Sequence, residues 1–152
     1  MAKFKYKMQN ILNLKYKLEE QQKIAFAEAT GRVLEEEKKL SELNNRRFFY
    51  ELKLRESVSG SLYLNRIRQL EESVEIMKYQ IRVQQVALKD ARLKQEHERK
   101  KLNEAMIERK TQEKLREKAF EEFMKEIAKE ESKEVDELVS YKFGQMSGQE
   151  AG

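Results

Sequence analysis

Two runs of apolar residues, each spaced mostly by three or four, are the strongest constraint on what this chain can become. The first takes in Ile11, Leu14, Leu18, Ala25, Ala29, Val33, Leu40, Leu43, Tyr50 and Leu54. Steps of this size keep side chains on one face of a helix. Counted through Gln22, the steps between Leu18 and Val33 run 4-3-4-4, a stutter that relaxes a supercoil locally. The second run starts at Tyr63 and passes through Ile67, Leu70, Val74, Met77, Ile81, Leu88 and Ala91. It continues less regularly through Leu102, Met106, Leu115, Ala119, Phe123 and Ile127, with Gln84, Gln95 and Glu98 interrupting the seam. A disordered chain would not carry two such stripes, so the pattern predicts a coiled coil.

Composition narrows the alternatives. The 152 residues include no proline, cysteine or tryptophan and only five glycines. Strands and hairpin turns draw on Gly and Pro, so their scarcity argues against β and α/β folds. Zero cysteine removes disulfides, thiol nucleophiles and cysteine-zinc sites, and fits a reducing compartment.

The stripes are separated by Ser57-Val58-Ser59-Gly60-Ser61. Serine and glycine favour turns and caps, and Ser61 suits an N-cap for a helix opening at Leu62. The reading is therefore all-α, one coiled-coil domain over 1–152. Its parts are a helix at about 4–56, a turn at about 57–61, a helix at about 62–140 and a flexible tail at 141–152. A short connector makes the helices antiparallel. They would be roughly 80 Å and 120 Å long at 1.5 Å per residue, so the second overhangs the first from about Leu115. The competing reading is one continuous helix in a parallel dimer. Phe48-Phe49-Tyr50 precedes the turn, and three successive aromatics sit about 100° apart. Tyr50 and Tyr63 can close that end, which leaves Phe48 or Phe49 partly exposed.

Charge is segregated. Residues 3–17 carry Lys3, Lys5, Lys7, Lys15 and Lys17 with no acid, whereas residues 121–137 hold eight acids against three lysines. An antiparallel hairpin brings these stretches to one end, where they are expected to pair or to offer both signs to a partner. The basic stretch around Arg92, Lys94 and Arg99-Lys100-Lys101 is interleaved with Glu96 and Glu98 and has no stacking aromatics, which speaks against nucleic acid.

Chemistry has little to stand on. His97 is the only histidine and lies in a polar stretch, so two-histidine metal motifs are excluded. The isolated glycines form no phosphate cradle, and the glutamate pairs have no water-excluding pocket to shift them toward acid–base work. No catalytic, metal or cofactor residue is expected. The longest apolar run, Ile24-Ala25-Phe26-Ala27, is too short for a signal peptide or membrane span, so the expected location is cytoplasmic.

Several strings, in order, carry a resemblance. They are Phe4-x-Tyr6 with Ile11-Leu12-x-Leu14-Lys15, then Tyr63-Leu64-x-x-Ile67, then Glu108-Arg109-Lys110-x-x-Glu113-Lys114-Leu115 with Glu117-Lys118. Glu131-x-Lys133 and Asp136-Glu137 close the series. Over nearly its whole length the chain resembles the FliJ family of the flagellar type III export apparatus, with YscO-like injectisome proteins as relatives. The resemblance implies an antiparallel two-helix coiled coil similar to the γ stalk of rotary ATPases. It implies a non-enzymatic protein that inserts its termini-bearing end into a hexameric FliI-like export ATPase, touches an FlhA-like membrane export gate and handles export chaperones. Flagellar assembly and motility would depend on it, and it would sit at the cytoplasmic face of the membrane without inserting. Carried onto this sequence, the ATPase-facing residues are Ile11, Leu14, Lys15, Arg109, Glu113, Lys114, Leu115, Asp136 and Glu137. The gate-facing residues are Leu43, Tyr50, Tyr63, Ile67 and Leu70. Several of these also lie on the predicted seam, where core packing competes with partner contact.

Overall fold

The computed structural model describes residues 3–60 and 63–150. Its elements are α1 (Gln9–Ser59) and α2 (Leu64–Glu150), which pack against each other as an all-α helical hairpin. Residues rich in helix propensity and free of proline allow runs this long. Pairs one turn apart brace the exposed faces, among them Arg32–Glu36, Arg47–Glu51, Lys94–Glu98 and Arg109–Glu113.

Both ends of the predicted helices are revised. Residues 3–6 are not helical, and α1 begins at Gln9, where the expected start was about residue 4. Lys3, Lys5 and Lys7 would have placed cations at the positive end of the helix dipole, and no acid occupies the first turn. At the other end of α1, Ser57 and Ser59 are helical. The Ser57 hydroxyl donates to the Lys53 carbonyl at 2.9 Å and that of Ser59 to the Arg55 carbonyl at 3.1 Å. Back-bonded serines thus finish the helix, and Gly60 makes the bend. The Ser61 cap and Leu62 lie outside the described residues. The expected flexible tail from 141 is helical through Glu150. Gly144 and Gly148 cost about 1 kcal/mol each against alanine. With no proline to stop it, the ladder continues, helped by Gln145 donating to the Tyr141 hydroxyl at 2.9 Å.

The contacts fall into two compact units, residues 1–17 with 106–152 and residues 18–105. In the second unit the helices run antiparallel: Thr30 meets Gln95, and Glu37 meets Arg92. Its core is Val33, Leu88 and Ala91 with Leu40 against them, continued by Ala29, Val74, Met77 and Ile81. These are the predicted seam positions. The seam is not interrupted at its glutamines: Gln84 Nε2 bonds Glu36 and Gln95 Nε2 bonds Thr30 Oγ1 at 3.1 Å. Polar rungs replace apolar ones.

In the first unit the helices are also antiparallel, with Tyr16 on Glu113, Gln9 on Arg116 and Phe4 on Phe120. On α2 the predicted Met106, Ala119, Phe123 and Ile127 are half-buried, with Leu115 the exception, but on α1 the predicted face is displaced by one residue. Ile11, Leu14 and Leu115 are exposed, while Leu12 is only 2% exposed. Two stripes one position apart, Ile11–Leu14–Leu18 and Leu12–Lys15–Glu19, both have steps of three and four. Lys15 takes its half-buried place because Glu108 of α2 stands within ion-pair reach of it, at 2.9 Å, a partner that Leu14 could not use.

Candidate partner-binding surfaces

The first unit contains every residue proposed to face an ATPase. A polar clamp forms where the two segments meet. Lys15 Nζ pairs with Glu108 Oε2 at 2.9 Å. The Tyr16 hydroxyl donates to Glu113 Oε1, and Arg109 Nη1 donates to the same carboxylate at 3.2 Å. The Tyr16 hydrogen bond is the main cause that holds the Glu113 carboxyl below the usual carboxylate range, with Arg109 adding to it. The same bond raises the Tyr16 hydroxyl above the ordinary tyrosine value. Lys15 is thus engaged by Glu108, and Glu113 by Tyr16 and Arg109, so all three are partly spent in holding the unit together. Lys114, Asp136 and Glu137 are exposed.

The expected pairing of residues 3–17 with the acids of 121–137 does not occur among the described residues. Lys15 instead crosses to Glu108, because the register sets Phe4 against Phe120 and Phe123. Most of those acids therefore lie past the reach of the basic stretch. From 128 to 148 every residue is exposed, where the overhang was expected from Leu115. Within that stretch Val135, Leu138, Val139, Phe143 and Met146 gather on one side of the helix by their spacing.

The second unit contains the residues proposed to face an export gate. Leu43, Tyr50, Ile67 and Leu70 are half-buried in the seam, and only Tyr63, at 71%, is open. Packing claims four of the five. Phe48 and Phe49 are both exposed, a larger surplus than the single aromatic expected, with Lys53 Nζ 5.5 Å from the Phe49 ring centre.

One surface was not foreseen. Ile76, Tyr79, Val83, Val86 and Leu93 are all more than half exposed. Their steps of three, four and three mark a second seam, with Asp90 at the missing place. At about 100° per residue it lies on the side of α2 opposite Met77, Ile81 and Leu88. The signal lies in the spacing, which two opposite stripes of one helix satisfy equally well.

Elsewhere chemistry is sparse. His97 is exposed, and no group of three or more metal-ligating side chains occurs among the described residues. No helix of the described residues is long and apolar enough to cross a membrane. Against known families, the chain matches the one described as Flagellar FliJ protein over residues 4–148. No curated protein matches it, and no solved structure does.

Proposed function

The chain belongs to the FliJ family, a flagellar export-related family, and on that premise we propose that it is a non-enzymatic stalk and chaperone component of the flagellar protein export apparatus. One end engages a FliI-like export ATPase hexamer, and another surface reaches an FlhA-like export gate at the cytoplasmic face of the membrane. The family match over residues 4–148 carries the proposal.

The geometry supports a division of labour. For the ATPase, the first unit offers exposed Ile11, Leu14, Lys114, Leu115, Asp136 and Glu137, together with the apolar side of α2 from Val135 to Met146. An apolar stripe rimmed by acids suits a partner that supplies both an apolar lining and cations. Lys15, Arg109 and Glu113 act in this reading by holding the two segments in register. For the gate, the half-buried Leu43, Tyr50, Ile67 and Leu70 can contribute only their outer edges. The second stripe, Ile76–Leu93, is the stronger surface, because a helix laid along it would find anchors at helical spacing. Tyr63, Phe48 and Phe49 add apolar surface in the same unit.

The test is direct. Titrating the purified chain into the cognate export ATPase should raise its hydrolysis rate or ring formation. No change in either, over a wide concentration range, would sink the proposal.

A further inference from the structure

Residues 3–8 precede α1 without belonging to a helix, and Phe4 among them packs on α2. Phe4 sets its ring 5.2 Å from Phe120 and 5.4 Å from Phe123, centre to centre, and the Arg116 guanidinium stands 5.8 Å from its centre. What ties the segment down is this aromatic notch. Among the described residues, none of its backbone groups bonds α2; the Tyr6 carbonyl instead accepts from Gln9 N at 3.2 Å. Tyr6 opposes the closure, because its buried hydroxyl has no hydrogen-bond partner. Only Phe4 and Tyr6 of the segment are half-buried, and the second carries an unpaired hydroxyl, which is the profile of a piece that opens locally at low cost.

Phe120, Met124 and Ile127 share a side of α2 with Val135, Leu138 and Met146, interrupted at Glu131. Phe4 therefore covers the beginning of the apolar side proposed to meet the ATPase. We infer that segment 3–8 is a displaceable strap: Phe4 fills the Phe120–Phe123 notch in the unbound chain, and the ATPase competes for it with an aromatic or aliphatic side chain of its own. This rests on the proposed ATPase contact. Its consequence is that the chain's apparent affinity is lowered to the extent that the strap is closed.

The chain has no tryptophan, so Phe4→Trp places a single indole in the notch. On adding the export ATPase, the indole emission should shift to longer wavelength and become more accessible to acrylamide. Phe4→Ala should tighten binding to the same ATPase, about tenfold for a strap closed nine-tenths of the time. Binding with unmoved indole emission, or equal or weaker binding by Phe4→Ala, overturns the strap while leaving the ATPase contact standing. Failure of the unsubstituted chain to bind in the same titration overturns both.

Discussion

Gln84 on α2 donates from one amide nitrogen to both the carboxylate and the backbone carbonyl of Glu36 on α1, the latter at 3.0 Å. Glu36 is only 3% exposed, and Arg32 and Lys39 also reach it, at 3.2 and 3.7 Å. A buried carboxylate at a seam position is tolerable only with this much company. Gln84→Leu should therefore destabilise the chain by about 1–3 kcal/mol, the cost of stranding a buried acceptor. Glu36→Leu with Gln84→Leu should recover most of that loss. Denaturant midpoints measure both, and a Gln84→Leu variant more stable than the parent would contradict the account.

Acid should act through the same rung. The Gln84 hydrogen bond is the main cause that lowers the Glu36 carboxyl, helped by Lys39 and Arg32 against the opposing effect of burial. A depressed folded value means the stabilisation is complete above the unfolded carboxylate pKa, near 4.3, and is lost as pH falls through the folded one. Stability should thus be level above about pH 5 and fall below the ordinary carboxylate range. Glu36→Gln should fall less steeply over that window. An identical acid limb in both proteins would remove Glu36 from the explanation.

Tyr16 gives the mirror case. Its hydroxyl is raised by donating to Glu113, so its contribution is present below the unfolded tyrosine value, about 10, and is lost as pH climbs through the folded one. Tyr16→Phe should flatten the alkaline limb of stability. Tyrosine absorbance titration provides an independent check: Glu113→Gln should bring the late-titrating tyrosine down toward the ordinary range.

The two sides of α2 in the second unit should separate folding from binding. Ile81 is buried in the seam, and Ile81→Ala should cost about 2–5 kcal/mol. Ile76→Glu with Val83→Glu alters the exposed stripe and should shift stability by no more than about 0.5 kcal/mol per site. The same double variant should lose binding to the cytoplasmic part of the export gate. Retained gate binding would rule the stripe out as its docking surface.

Asp136 and Glu137 stand in the stretch where every residue is exposed. Reversing both to lysine should leave helicity by circular dichroism unchanged and reduce stimulation of the ATPase. Full stimulation would remove the acidic rim from the contact.

The seam of the second unit could be read from the chain because Val74, Met77, Ile81, Leu88 and Ala91 extend the spacing begun at Ile67 and Leu70, a longer run than the stripe from Ile76 to Leu93. From Leu70 to Ala91 no competing stripe fits the buried positions, although a second stripe runs on the opposite side. The first unit was different. Ile11 and Leu14 looked like core, and Leu12 with Lys15 proved to be it, since both sets have the same period. The candidate surfaces divided likewise. Lys114, Asp136 and Glu137 are open charges, whereas Leu43, Tyr50, Ile67 and Leu70, named for the gate by resemblance, also lay on the predicted seam and are half-buried there. Ile76, Tyr79, Val83 and Val86 were passed over because being apolar at regular spacing does not by itself say which stripe is buried.

By itself, the sequence determined two long helices with a break near Gly60, since helix propensity, absent proline and three–four spacing are all local along the chain. Only the tertiary structure decided which of two adjacent stripes faces the partner helix, that Gln84 completes a rung with Glu36, and that Phe4 closes over Phe120 and Phe123. Those choices depend on what stands opposite. Side chains about 100° apart on one helix are equivalent until a second helix supplies the groups that bury or pair with one of them.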